Sequence, residues 1–458
     1  RMVMTSLYCN KVVPFDHVHI HPIIQDGQGR TMSKSLGNGV DPLDIIELFG
    51  TDAMRFALAQ MATETQDVRM PVKPVKLPDG RTINSSEKFE LGRNFCNKLW
   101  QAATGFVLPN LQPCGTGILP VDHRQNAGAT PGEWPRPLKP DDLAIEDHWI
   151  LSRLAACIEE VGRRFERYQI NEAANALYSF FWSDFCDWYV ELVKPRLYDQ
   201  NRDREGAAPT PDAERSANVA RQVLAWVLDQ TLRLLHPIAP FITEALWKQL
   251  NDAAPQRGIA QIEEHGSALI VARWPDAATW SRATDVEGDM RALQDVIRAL
   301  RDIRAHVNQI RAAAKQPSIR KLPQAVIRAD AQTAQQLTQR LAVIQRLGQC
   351  EALQIGPDVT KPPECASKVL PCGTGFQPVN IEVYVPLSGL ADLEIERRRL
   401  SKERDELAGH LKRLEAKLAN ENFVNKAPAA VVERERTRLA ELTERLAAIE
   451  QNLAEVGG

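Results

Sequence analysis

The stretch best equipped for chemistry is Gly29–Ala59, GRTMSKSLGNGVDPLDIIELFGTDAMRFALA. Gly27, Gly29, Gly37 and Gly39 bracket TMSKS, so the loop backbone can approach a ligand closely. Ser33 and Ser35 offer hydroxyls, and Lys34 offers a compact positive charge suited to phosphate oxygens. Asp41-Pro42 reads as a helix start, with Asp41 as N-cap, Pro42 at the first helical position and Gly50 as the stop. Thr51 then caps a second helix through Arg55 and Phe56. A Lys/Ser loop anchored on a capped helix suits transient binding of polyphosphate charge. A solvated Ser/Lys loop is the plainer reading of composition alone.

Other candidate residues are less specific. Between Arg291 and Lys321 eight basic residues face only Asp295 and Asp302. Such a stripe, with Arg298, Arg301 and Arg304 at its centre, would contact nucleic-acid phosphates and weaken with salt; a solvated amphipathic face is the alternative. Tyr178, Phe180, Phe181, Trp182, Phe185, Trp188 and Tyr189 crowd twelve residues. Such rings can stack on unpaired bases, but so many cannot all face a ligand, and most are expected in the core. Lys194 and Arg196, beside Pro195, are better placed for backbone contact. His17, His19 and His21 alternate from just before to within VHIHPII, a strand-like run at Val18–Ile24. No Cys or carboxylate cluster accompanies them, so no metal site is assigned.

The elements that must position these groups are mainly helical. Leu154, Ile158, Val161 and Phe165 mark one buried face. A second helix is expected from Asn171 to Val193, where Pro195 disfavours continuation, and a third from Gln222 to Leu235. Long helices with short connections imply an antiparallel bundle. Residues 290–389 look mixed, with a helix from Met290 to Ala314 and strands at Ala325–Ile327 and Ile381–Val385. Leu393, Leu400, Leu407 and Leu414 then sit seven apart, and Leu439, Leu442, Leu446, Ile449, Leu453 and Val456 follow a 3-4-3-4-3 spacing. Two heptad seams separated by a turn read as an antiparallel hairpin. Near its base lie Arg397, Arg398, Arg399, Lys402 and Arg404, although residues 391–458 carry 13 basic and 14 acidic residues. PCGTGILPV at Pro113–Val121 recurs as PCGTGFQPV at Pro371–Val379, which reads as an inserted surface segment.

The 458 residues, net charge −3 and 44% apolar content exclude a disordered chain or a uniformly basic nucleic-acid coat. No apolar run is long enough to span a membrane. Eight cysteines without a CxxC pair disfavour a zinc ribbon or a disulfide framework.

Four ordered segments carry a family resemblance. TMSKS with LGNGVDP and DAMRFALA resembles the KMSKS signature of class I aminoacyl-tRNA synthetases. GRNFCNKLW at Gly92–Trp100 resembles the helix that follows it in valyl-tRNA synthetases. FCDWYVELVKPRL at Phe185–Leu197 and HPIAPFITEALW at His236–Trp247 resemble that family's anticodon-binding bundle, and the heptad hairpin its tRNA-binding arm.

The resemblance implies a mainly α chain. It would hold the remnant of a nucleotide-binding α/β fold with the KMSKS-like loop (1–80), a connecting helix and insert (81–141), an anticodon-binding helical bundle (142–289), a small mixed α/β region (290–389) and an antiparallel coiled-coil arm (390–458). It implies ATP-dependent ligation of valine to tRNA(Val) through valyl-adenylate, with Mg2+ accompanying ATP, in a cytoplasmic monomer that binds no DNA and no membrane. Thr31, Met32, Ser33, Lys34 and Ser35 would form the ATP-binding loop, with Lys34 stabilising the departing pyrophosphate. Thr31 stands where the signature has its first lysine, so it receives no phosphate-neutralising role. Lys194, Arg196, Arg298, Arg301, Arg304, Arg397, Arg398, Arg399 and Lys402 are the expected tRNA contacts.

An isoleucyl or leucyl relative, or a non-catalytic tRNA-binding coiled-coil protein, is the alternative. The chain opens on Arg1 with its first motif near residue 30, so it is expected to be the back part of a longer protein. A class I site needs both halves of its nucleotide fold. Alone, the chain is expected to bind tRNA weakly and form no adenylate.

Overall fold

The computed structural model describes residues 1–33, 35–64, 66–77, 79–111, 135–198, 210–372, 379–390 and 393–419, with further positions between 435 and 453. The fold is mostly helical, at 61%, and divides into two compact units, 1–287 and 288–458.

The first unit begins with α1 (Met2–Asn10), which buries none of its residues. Strand β1 (Ile24–Asp26) pairs in parallel with β2 (Val68–Met70). The strand expected at Val18–Ile24 therefore starts later. Pro22 has no N–H to give a ladder, and the His17, His19 and His21 segment ahead of it is not a strand. His19 instead stacks on Tyr168, with ring centroids 5.6 Å apart. Helix α2 (Pro42–Phe49) is capped by Asp41, whose carboxylate accepts from the Leu43 N–H at 2.9 Å. Gly50 follows at φ +92° and α3 (Thr51–Met61) starts at once, so Thr51 is its first residue rather than its cap.

A hairpin of β3 (Lys73–Lys76) and β4 (Thr82–Ser85) leads to α4 (Lys88–Ala102). Gly92 lets α4 cross α3 closely, because a Cβ there would lie 2.0 Å from the Ala53 carbonyl oxygen. Phe56 and Phe95 stack at 4.1 Å, and Phe95 meets Phe181 edge-on at 6.0 Å. One core thus runs from the signature helices into the bundle. After a π-helical turn at Ala103–Val107 comes α5 (Leu108–Leu111).

The bundle comprises α6 (Ile145–Glu166), α7 (Ile170–Ser179), α8 (Val190–Tyr198), α9 (Pro211–Leu235) and α10 (Pro240–Ala253), with a short β5 (Gln256–Arg257) and β6 (Glu263–Glu264) pair after it. Between α7 and α8 the chain stays helical in π form over Phe180–Tyr189. Helix therefore runs through Pro195 to Tyr198, contrary to the expected stop. An internal proline costs a helix about 3 kcal/mol. Burial of Val190, Leu192 and Val193 opposes that cost, and so do charge-assisted bonds from Arg196 to Asp147 at 2.8 and 2.9 Å, each contributing about 1.5–3 kcal/mol. Among the clustered aromatics, Phe180, Phe181, Phe185, Trp188 and Tyr189 are buried. Helix α9 starts at Pro211, capped by Thr210; its polar opening PDAERSAN hides that start from the apolar pattern.

In the second unit, α11 (Thr284–Ala313) buries Leu293, Val296, Ile297, Leu300, Ile303, Val307 and Ile310, the helical spacing of a core-facing stripe. The strands are β7 (Leu322–Arg328), β8 (Cys350–Gly356), β9 (Cys365–Cys372) and β10 (Val379–Pro386), in the order β8-β7-β10-β9. β7 and β8 are parallel, so a crossover must join them; α12 (Ala331–Thr338) and α13 (Leu341–Gly348) supply it. The expected strands Ala325–Ile327 and Ile381–Val385 fall within β7 and β10, which pair antiparallel. The first PCGTG copy lies outside the described residues. The second begins in the last residues of β9, its Val379 opens β10, and 373–378 lie outside. Helix α14 (Leu393–Ala419) places Leu407 in a cluster with Ile449, onto which Leu442, Leu446 and Leu453 pack. Lys417 pairs with Glu435 at 2.8 Å.

Candidate functional site

The TMSKS loop hangs from two polar side chains. Asp26, at the end of β1, accepts from the backbone N–H groups of Gln28 and Arg30 at 2.9 Å each through Oδ1. Its Oδ2 accepts from Arg30 Nε at 2.9 Å and Asn38 Nδ2 at 3.0 Å. Asn38 in turn accepts from the Ser33 N–H at 2.9 Å and donates to the Thr31 carbonyl at 3.3 Å. Asn38 therefore ties Thr31 and Ser33, the first half of the motif, to one buried carboxylate. The Asn38 hydrogen bond, then those from Arg30 and Gln28, hold the Asp26 carboxyl well below the usual carboxylate range despite burial.

Ser33 and Ser35 share a hydroxyl–hydroxyl hydrogen bond at 3.2 Å, and Ser33 Oγ also accepts from the Leu36 N–H at 3.3 Å. Thr31 bridges to Gln25, and Met32 packs on a core of Ile45, Ala57, Met70 and Phe89. Lys34 lies outside the described residues. A cleft of about 720 Å3 opens beside the β1–β2 pair, lined by Gln25, Gln60, Asp67, Arg69 and Lys88 among others. Gly29, at φ +80°, sits against the Arg69 guanidinium, 3.5 Å from where a Cβ would be. Asp26, Asn38 and Arg69 carry no type-and-spacing signal of their own.

The signature helices are joined to the bundle by two side chains. Asp52 on α3 accepts from the Phe241 and Ile242 N–H groups at 3.4 and 2.5 Å, capping α10 from another helix. Arg55 donates to the Ile238 and Pro237 carbonyls at 2.9 and 3.0 Å. Burial pushes the Asp52 carboxyl up, against the two backbone hydrogen bonds. An acid raised in the folded state binds its proton more tightly there, so the folded state loses stability as pH climbs from the ordinary carboxylate range through the raised value. Asp52→Asn keeps an acceptor without the charge. It is expected to stay within about 1 kcal/mol of wild type at pH 7 and to lose this pH response, whereas Asp52→Ala costs about 0.5–2 kcal/mol; urea unfolding at pH 5 and 7 measures both.

The structure places several expected tRNA contacts differently. The Arg196 side chain is only 12% exposed and is enclosed by Glu146, Asp147 and Ser216. Asp147 also takes the Tyr189 hydroxyl at 2.7 Å, and burial, then the Asp147 charge, pushes that phenol well above its ordinary value. Arg196 is thus engaged within the bundle, its guanidinium donating to Asp147, Glu146 and Ser216. Arg301 Nε donates to the Leu347 carbonyl at 2.8 Å, and Arg304 donates to the Arg320 carbonyl at 2.8 Å and to Gln349. These two half-buried side chains donate to carbonyls at the ends of neighbouring elements. Arg298 is exposed beside Asp295 at 2.8 Å, Lys194 pairs with Glu191, and Arg397, Arg398 and Lys402 are exposed. The Arg399 side chain lies outside the described residues. Tyr178 and Trp182 stack on each other at 5.3 Å, and Lys98 lies 5.1 Å above Trp182.

Residues 1–71 match the model for class I tRNA synthetases (I, L, M and V), and 147–319 match the anticodon-binding domain of tRNA ligase. Residues 392–457 match the valyl tRNA synthetase tRNA binding arm. The chain matches the C-terminal portion of valyl-tRNA synthetases. The valine–tRNA ligase of Rhodopirellula baltica is 38% identical over 99% of this chain and 43% of its own length. Those of Bacillus anthracis and Thermosynechococcus vestitus are 35% and 37% identical over 100% of this chain and 44% and 43% of theirs. The chain spans less than half the length of these curated relatives. The TMSKS loop falls in the first of these matches and α14 in the third, and the α3–α10 joint links the first to the second.

Proposed function

We propose that this chain serves the ATP-dependent ligation of valine to tRNA(Val), supplying the pyrophosphate-handling loop and the tRNA-binding parts. The observation that carries this reading is the order of matches along the chain: class I catalytic segment, anticodon-binding domain, valyl tRNA-binding arm. Valine attacks the α-phosphate of ATP and pyrophosphate leaves. Lys34 places positive charge where the leaving group gains negative charge, an interaction stronger in the transition state than before it. Asp26 and Asn38 hold the loop ends, and the Ser33–Ser35 contact shapes its turn. Mg2+ enters with the nucleotide, and no residue of this chain is assigned to it. A hydroxyl of the tRNA's terminal ribose then attacks the valyl carbonyl, forming the ester as AMP leaves and the hydroxyl proton is given up.

In this reading the tRNA lies along the bundle and the arm, and α14 with its heptad partner forms the antiparallel hairpin. Contact falls to the exposed cations Arg298, Arg397, Arg398 and Lys402, with Lys194 on the bundle and Arg399 kept from the sequence reading, ahead of Arg196, Arg301 and Arg304, whose donors are engaged within the protein. The test is valine-dependent pyrophosphate exchange and valylation of tRNA(Val) by the protein that carries this chain; exchange driven by isoleucine or leucine, or none, overturns the reading. The triple charge reversal Arg397→Glu, Arg398→Glu, Lys402→Glu is expected to weaken tRNA(Val) binding. It should also lower the slope of log affinity against log salt by about one for each phosphate the arm no longer neutralises. An unchanged slope removes the arm from the tRNA surface.

A further inference from the structure

The loop has a third tether that lies outside the signature. Asn84 on β4 donates its Nδ2 hydrogens to the carbonyls of Gly37 and Gly39, at 3.0 and 2.9 Å. Those two carbonyls flank Asn38, the residue that ties Thr31 and Ser33 to Asp26. Gly37 sits at φ +62°, and nothing lies within 4 Å of a Cβ built on Gly37 or Gly39. These two residues therefore have little side-chain packing to hold them, and polar contact must do so.

The hairpin that presents Asn84 is itself fixed. Two strands alone are marginal in water, but Leu77, Ile83 and Ser85 are buried. Arg81 at its turn reaches Glu47 on α2 at 3.0 Å, and Lys73 pairs with Glu87 at 2.6 Å. An anchored hairpin can thus transmit its position to the Gly37–Gly39 end of the loop, where no side chain of those two glycines packs.

We propose that Asn84 is a positioning residue for the TMSKS loop, the β3–β4 hairpin bracing the loop's C-terminal end so that Asn38 stays seated on Asp26. The catalytic consequence rests on the reading of residues 31–35 as the pyrophosphate-handling loop; the brace itself does not.

Amide hydrogen exchange on the full chain tests the brace directly. The Ser33 and Leu36 N–H groups are bonded within the loop, and in Asn84→Ala they should exchange about tenfold faster, as expected when local opening becomes easier by the worth of two neutral hydrogen bonds. Lys76→Ala, an exposed change on the same hairpin, should leave them unaltered. Asn84→Asp, which turns a carboxylate toward two carbonyls, should loosen the loop at least as much as Asn84→Ala. Unchanged exchange in Asn84→Ala overturns the brace whatever the enzyme does. In the protein that carries this chain, Asn84→Ala should also lower kcat for valine-dependent pyrophosphate exchange about tenfold with the KM for valine unchanged, the pattern of an interaction used only in the transition state. A loosened loop with unaltered kcat overturns the positioning role. A wild-type protein without valine-dependent exchange sinks the proposed function and leaves the amide result standing.

Discussion

In the protein that carries this chain, and on the function proposed above, replacing Lys34 by alanine is expected to slow adenylate formation more than a hundredfold, with the affinity for tRNA(Val) unaltered. One preorganised stabiliser of developing charge is worth that much when removed. Here the dependence is sharpened by Thr31, which occupies the place of the first signature lysine and brings a hydroxyl in place of a charge. The loop's cationic contribution then falls on Lys34. Its chain neighbours are fixed in place, since Ser33 is bonded to Asn38 through its N–H and to Ser35 through its hydroxyl. The loss should appear in kcat more than in KM, because charge on the leaving pyrophosphate grows only as the bond to it breaks. Lys34→Arg keeps the charge but replaces a compact ammonium with a planar fork, so it should recover only part of the rate. Pyrophosphate exchange at an undiminished rate in Lys34→Ala would falsify the assignment. Thr31→Lys is the complementary change, and it should soften the effect of losing Lys34 if the two positions serve the same phosphates.

What was legible in the sequence was what repeats or what acts on its nearest neighbours. Asp41, Pro42 and Gly50 cap and end α2 within a ten-residue window, and the apolar faces of α6 and α11 follow the helical period. The loop's own tethers were not legible. Asp26 and Asn38 meet across twelve residues, and Asn84 reaches Gly37 from 47 away; side-chain bonds to distant groups leave no period and no composition bias. Clustering of basic residues does not tell which donors the fold itself uses. Arg196, Arg301 and Arg304 belong to basic clusters, yet a guanidinium with five donors serves a buried carboxylate or a strand-end carbonyl as readily as a phosphate. Only the packing of α13, β7 and the α6 cap decides which. Pro195 misled for a related reason, since a local rule about helix breaking was outweighed by the ion pair its neighbour makes with Asp147.

Asp229→Ala should be the most destabilising of the substitutions considered, at about 3–5 kcal/mol, because it leaves buried cations unpaired. Asp229 on α9 is fully buried and accepts from Arg233 Nε at 2.7 Å, Gln230 Nε2 at 2.8 Å and both Nε and Nη2 of Arg257 at 3.0 and 2.8 Å. Arg257 is 1% exposed, and its guanidinium lies 4.8 Å above the Trp247 ring; Arg233 lies 5.0 Å from the same ring. Burial lowers the Arg257 pKa while Asp229 opposes the shift, which is the sign of a charge held inside by one partner. Three segments meet there: α9, α10 through Trp247, and the β5 strand that carries Arg257. Domains are stable by only about 5–15 kcal/mol, so losing the carboxylate removes a large share of what holds α10 to α9. Through Asp52 and Arg55, α10 and the turn before it are also where the signature helices attach. Denaturant unfolding measures the cost. The double change Asp229→Leu with Arg257→Leu should recover only part of it, because Arg257 no longer needs a partner while the nearly buried Arg233 still loses its carboxylate. If Asp229→Ala instead unfolds within about 1 kcal/mol of wild type, the guanidiniums reach water or another acceptor when it is lost, and the joint between α9 and α10 rests on Trp247 and its apolar neighbours alone.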